Sequence, residues 1–111
     1  MIDGLQIIQY DDGRYGLTIM EPGAPDATYW QVFEDNDLEG GGYTWEGLID
    51  SLVRLRMPDA MSSIEIGAEA DNAYVNSAGR NILERIAALI EEAINEEKLL
   101  TEAIENADDL E

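Results

Sequence analysis

The chain has no cysteine and no histidine. Those two absences exclude disulfides, thiol nucleophiles, zinc sites of the usual kind, and every Ser-His or Cys-His mechanism. Basic residues are scarce: six Lys and Arg stand against 25 Asp and Glu, a formal charge of -19. Phosphate recognition needs clustered Lys and Arg, so binding to nucleic acid through a basic patch is excluded. Docking on an anionic membrane is disfavoured for the same reason. Apolar runs are only a few residues long, which leaves nothing to span a bilayer. No basic, apolar leader follows Met1-Ile2-Asp3-Gly4, and the expected location is the cytoplasm. A chain without cysteine fits that reducing compartment.

What is present describes one globular unit. A length of 111 residues is that of a single domain, and a 45% hydrophobic fraction is enough for a core. Leu5 to Tyr10 and Tyr15 to Met20 are rich in β-formers, and Asp12-Gly13 between them suits a type I′ hairpin turn. Two prolines and a glycine at 22–25 mark a loop. Thr28 to Phe33 is dense in aromatic and β-branched residues and reads as a third strand. Thr44 is a candidate N-cap. Trp45, Leu48, Ile49, Leu52 and Val53 then trace one face of a helix, Asp50 and Arg54 stand at i,i+4, and Pro58 stops it near Met57.

Ser63 to Ile66 and Ala73 to Asn76 read as two further strands, with Asp71-Asn72 as their turn. Ser77 is the expected cap of a C-terminal helix whose apolar spacing persists to Ala107, interrupted at Glu97. That spacing predicts one helix of about 30 residues, bent near Asn95. The order β-β-β-α-β-β-α predicts an α+β domain over residues 1–111 with an antiparallel sheet of about five strands. Both helices pack on that sheet, and 105–111 forms an acidic, fraying tail. The expected core includes Trp45, Leu48, Leu52, Ile64, Ile66, Leu83, Ile86 and Ile90, with Trp30 and Phe33 also inside.

Carboxylates are the remaining chemistry. Asp35, Asp37, Glu39, Gly40 and Glu46 fall at positions 1, 3, 5, 6 and 12 of a calcium loop of the EF-hand type. Position 5 is a long Glu, position 8 is Gly42, a second loop is missing, and the preceding segment reads as strand. No specific calcium site is therefore expected, nor any cofactor. Residues 91–111 hold nine acids and one base, Lys98, which is either a solubilising face or a surface for a basic partner. No carboxylate pair stands out as acid and base, phosphoryl transfer lacks its Lys or Arg, and Ser51, Ser62 and Ser63 have no base nearby. An enzyme is not expected. Tyr15, Trp30, Tyr43 and Tyr74 are possible binding anchors.

From Glu39-Gly40-Gly41-Gly42-Tyr43-Thr44-Trp45 onward the chain resembles the immunity protein 51 family of bacterial polymorphic toxin systems. A glycine-bearing acidic loop leads to Gly42-Tyr43-Thr44-Trp45 at the head of an amphipathic helix. Then come Ile64-Glu65-Ile66, Ala73-Tyr74-Val75 and a C-terminal helix, a pattern over roughly residues 28 to 94. The resemblance implies a small cytoplasmic protein that binds and neutralises a cognate toxin domain, with no toxin chemistry specified. The charge agrees, because an acidic inhibitor is steered onto a basic cleft. Glu34, Asp35, Asp37 and Glu39, with Tyr43 as anchor, are the expected contact residues, and the acidic C-terminal helix is the rival surface. An acidic secretion chaperone, or a single calcium-binding hand, is the alternative reading.

Overall fold

Four strands form one antiparallel sheet in the order β1-β2-β4-β3. The structure, a computed structural model, describes residues 5–20, 28–38, 41–69 and 72–107. Strands β1 (Leu5–Gln9) and β2 (Tyr15–Met20) are a hairpin in which Leu5 faces Ile19 and Gln9 faces Tyr15. The Tyr10 amide donates to the Arg14 carbonyl at 2.8 Å, so the loop holds three residues rather than the two of a type I′ turn. The reason is that only Gly13 takes a positive φ, at 90°, while the Asp12 carboxylate accepts from the Arg14 amide at 2.9 Å.

After β2 the chain leaves the sheet for helices α1 (Thr28–Asp35) and α2 (Gly42–Arg56) and a 3₁₀ turn, Pro58–Ser63. It returns as edge strand β3 (Ile64–Glu69), then turns back as β4 (Asn72–Ser77) to pair with β2 in the centre. Glu69 pairs with Asn72, so the connection is 70–71, and the Asp71 of the expected turn lies outside the described residues. Helices α3 (Arg80–Asn95) and α4 (Glu97–Asn106) complete the chain.

The architecture is α+β with an antiparallel sheet, as expected, but with four strands and four helices among the described residues. Thr28–Phe33 is helical, not a strand. Val32 and Phe33 are adjacent and both buried, whereas strand alternation would turn one of them to solvent. Trp30's side chain lies outside the described residues. The C-terminal apolar pattern is two helices, broken at Glu96 with φ -134° and ψ 99°. Asn95 Nδ2 donates back to the Glu91 carbonyl at 2.9 Å, and the turn swings Leu99, Leu100 and Ala103 into the core. A straight helix would carry them past it. Thr44 is not a cap: α2 begins after Gly41, whose carbonyl accepts from the Trp45 amide at 3.1 Å. Ser77 ends β4, and its hydroxyl donates to the Ser63 carbonyl at 3.0 Å and accepts from the Gly79 amide at 3.2 Å. Glu105 and Asn106 are the last residues of α4, and 108–111 lie outside the described residues.

Helix α2 is the hub, packing on the sheet, on the 3₁₀ turn, and on α3 and α4. Trp45, Leu48 and Leu52 are buried, as are Leu83, Ile86 and Ile90 of α3. Ile64 and Ile66 are only half-buried, because β3 is an edge strand, but they pack on the same core. Phe33 meets Trp45 edge-on with ring centroids 5.6 Å apart, fixing α1 on α2. On the far side of α2 the buried Ser51 hydroxyl donates to the Ala103 carbonyl at 2.6 Å, which fixes α4.

Gly42 is buried where α2 starts, and a Cβ there would collide with the backbone carbonyls of Glu69 and Asn72. In Gly42→Ala, helix propensity gains about 1 kcal/mol. Overpacking against backbone that cannot rotate aside costs about 1–3 kcal/mol and wins. Urea unfolding should therefore show net destabilisation; a rise in midpoint would contradict this contact. Ser51→Ala strips a buried carbonyl of its donor and should lower stability by about 1–3 kcal/mol in the same assay.

Candidate protein-binding surface

The acids singled out in the sequence sit where α1 ends. The Asp37 amide donates to the Glu34 carbonyl at 3.2 Å and the Leu38 amide to the Phe33 carbonyl at 2.9 Å. These two bonds form a Schellman motif, which ends the helix and satisfies its last carbonyls. Leu38 folds back onto the core, the apolar contact that accompanies this motif. The motif demands a left-handed residue, usually glycine, and Asp37 fills it with φ 58°.

The turn therefore presents its acids outward. Glu34, Asp35 and Asp37 are all exposed, and Gln31 Nε2 donates to Asp35 Oδ1 at 3.0 Å. The last turn of α1 contains no base. Carboxylates at a helix C-terminus oppose the helix dipole, so the charge of this grouping does not favour α1. The Phe33–Trp45 contact brings this end of α1 to the first turn of α2, which carries Tyr43 at 47% exposure. Glu39, the remaining expected contact residue, lies outside the described residues, as does Gly40.

The EF-hand spacing meets a different geometry. The segment before Asp35 is a helix, not the expected strand, but α2 already begins at Gly42, position 8, where a calcium loop would still be extended. Among the described residues no group of three or more acids is arranged to hold a metal ion.

The rival acidic surface surrounds the break between α3 and α4. Glu96, Glu97, Glu102 and Glu105 line an open cavity of about 640 Å³ there. Two bases share it, Arg56 and Lys98, and Arg56 Nη2 lies 3.6 Å from Glu102 Oε1. Acidity at this surface is thus partly neutralised locally.

Of the other candidate anchors, Tyr15 packs against the core and Tyr74 is half-buried in β4. Sequence reasoning missed the backbone role of Asp37. The signal was Asn36-Asp37 directly before a lone apolar residue, a combination suited to a left-handed helix end. It also missed the close approach of Gly42 to the Glu69 and Asn72 carbonyls.

No match exists among curated proteins or solved structures at a significant level. The family model described as immunity protein 51 matches residues 5–109, a span that includes every strand and helix described above. The chain belongs to the immunity protein 51 family.

Proposed function

We propose that the protein neutralises its cognate toxin by covering the toxin's active site with the acidic turn between α1 and α2. Family membership implies an immunity protein and a toxin partner. The choice of surface rests on one observation: three exposed acids crowd a helix C-terminus, one of them in a left-handed conformation that glycine would adopt at less cost. Residues that work against their own local structure are expected at functional sites, where selection acts on the contact rather than on the fold.

Glu34, Asp35, Asp37 and Glu39 would meet basic side chains in the toxin's cleft, with Tyr43 as the aromatic anchor beside them. A negative field speeds encounter with a basic cleft, and exposed charges are screened beyond about 8 Å at physiological salt. Rim acids then govern the association rate, and any acid fully desolvated in the complex governs dissociation. No catalysis is required of this chain, and no cofactor or metal enters the proposal. The setting is the cytoplasm, where an immunity protein meets a toxin that has entered the cell.

The decisive comparison sets Asp35→Ala/Asp37→Ala against Glu92→Ala/Glu96→Ala in binding to the cognate toxin domain. The turn variant should bind more weakly by about 2–5 kcal/mol if either acid is desolvated, and the helix variant should bind nearly as wild type. The reverse result moves the interface to the rival surface. Asp37→Gly separates folding from function: the melting midpoint should rise, with a gain of about 0.5–1 kcal/mol from relieving the left-handed residue and the dipole clash, while toxin binding weakens. A stabilised variant with undiminished binding would remove Asp37 from the interface.

A further inference from the structure

We propose that the outer face of the sheet is a second docking area, taken by the toxin domain itself. The proposal rests on the immunity reading but not on the acidic turn.

Every core residue of the strands points one way. Leu5, Leu17, Ile19, Ala73 and Val75 are buried under the helices. By strand alternation the residues between them form the opposite face. Ile8, Gly16, Asn76 and Glu65 make one row across all four strands of that face. Ile8 is half-buried, yet it is not part of the core cluster.

Two tyrosines shape this face. The Tyr10 hydroxyl donates to Asn76 Oδ1 at 2.8 Å, which draws its ring end over Gly16. The Tyr74 ring covers Gly67, its cross-strand partner. A side chain at either glycine would collide with the ring above it, so the glycines are what lets the rings lie flat. The resulting surface is ordered before any partner arrives, so little side-chain freedom is lost on binding. Tyrosine, asparagine and glycine together give the mix of rigid apolar area and adaptable hydrogen bonding that protein-binding surfaces use.

The charges select the occupant. The four strands contain no Lys and no Arg, and their two charged residues are exposed glutamates, Glu65 and Glu69. Sheets that must stay solitary commonly place lysine on their edge strands, and neither β1 nor β3 does so. A second copy would bring another chain of formal charge -19 against the same acids. A positively charged protein is the complementary occupant. Glu69 also ties the two areas together, since its carbonyl lies against Gly42, next to Tyr43.

The test uses an inactivated form of the cognate toxin domain. Ile8→Lys and Tyr10→Ala change the face, and Ala88→Lys, at an exposed site on α3, adds the same charge elsewhere. Circular dichroism and melting establish that each variant is folded. If Ile8→Lys is not, Gln6→Lys on the exposed outer side of β1 replaces it. The face variants should raise Kd about thirtyfold, the scale of an interface hot spot, and the control less than about threefold. If the face variants bind as wild type while Asp35→Ala/Asp37→Ala fails, the sheet proposal is overturned and the immunity reading stands. If the wild-type chain does not bind the domain, both fall. If the free chain sediments as a dimer and Ile8→Lys makes it a monomer, the occupant is a second copy and the proposal is wrong.

Discussion

Helix α2 can begin where it does only because residue 42 has no side chain. Its first turn lies directly on the backbone at the end of the β3–β4 hairpin, with the Glu69 and Asn72 carbonyls where a Cβ would be. That approach sets the height of α2 over the sheet. From there Trp45 reaches Phe33 on one flank, and Ser51 reaches the Ala103 carbonyl on the other. Helices α1 and α4 are thus positioned from α2, and α2 from a glycine. The same contact brings Tyr43 to the surface next to the acids that end α1.

The surface adds little to stability. Three of its ion pairs, Arg54–Asp50 at 3.3 Å, Arg80–Glu84 at 2.9 Å and Arg56–Glu102 at 3.6 Å, join side chains that are one-third exposed or more. Pairs of that kind contribute about 0–1 kcal/mol each. Twenty-five acids among 111 residues repel one another more than six bases can offset. The apolar core, continuous from Leu17 and Val75 through Trp45 and Leu52 to Ile90 and Leu100, must hold the fold against that repulsion. A surface so far from neutral, on a core that gains nothing from it, is understandable where binding rather than folding sets the charge.

Much of this was legible in the sequence wherever one period ran cleanly. The 3.6-residue spacing of Trp45, Leu48, Ile49, Leu52 and Val53 and the stop at Pro58 are those of α2. The hairpins were visible as runs rich in β-formers with a short connection. Thr28–Phe33 was misread because aromatic and β-branched density stood in for a period, and the requirement to bury both Val32 and Phe33 is a tertiary one. The break at Glu96 was foreshadowed by the misfit at Glu97 and by Asn95, but not its sharpness, which depends on α2 receiving Leu99 and Leu100. At the candidate site the acids were plain as composition. That Asp37 closes a helix in a left-handed conformation was not, since the helix itself had been read as a strand.

The strand order has a consequence for how the chain is made. The two central strands, β2 and β4, are separated by both α1 and α2, so the middle of the sheet is its last part to be completed. A chain emerging from the ribosome presents the β1–β2 hairpin before α1 and α2, with the β2 edge and the faces of Leu17 and Ile19 uncovered until more than fifty residues later, when Val75 and Ala73 arrive opposite them. Closing so long a loop before its contacts reward it slows folding. For that interval the exposed edge is a template for pairing with other nascent chains. The dense negative charge then serves a purpose before any partner is met, because it holds half-made copies apart while each waits for its own fourth strand.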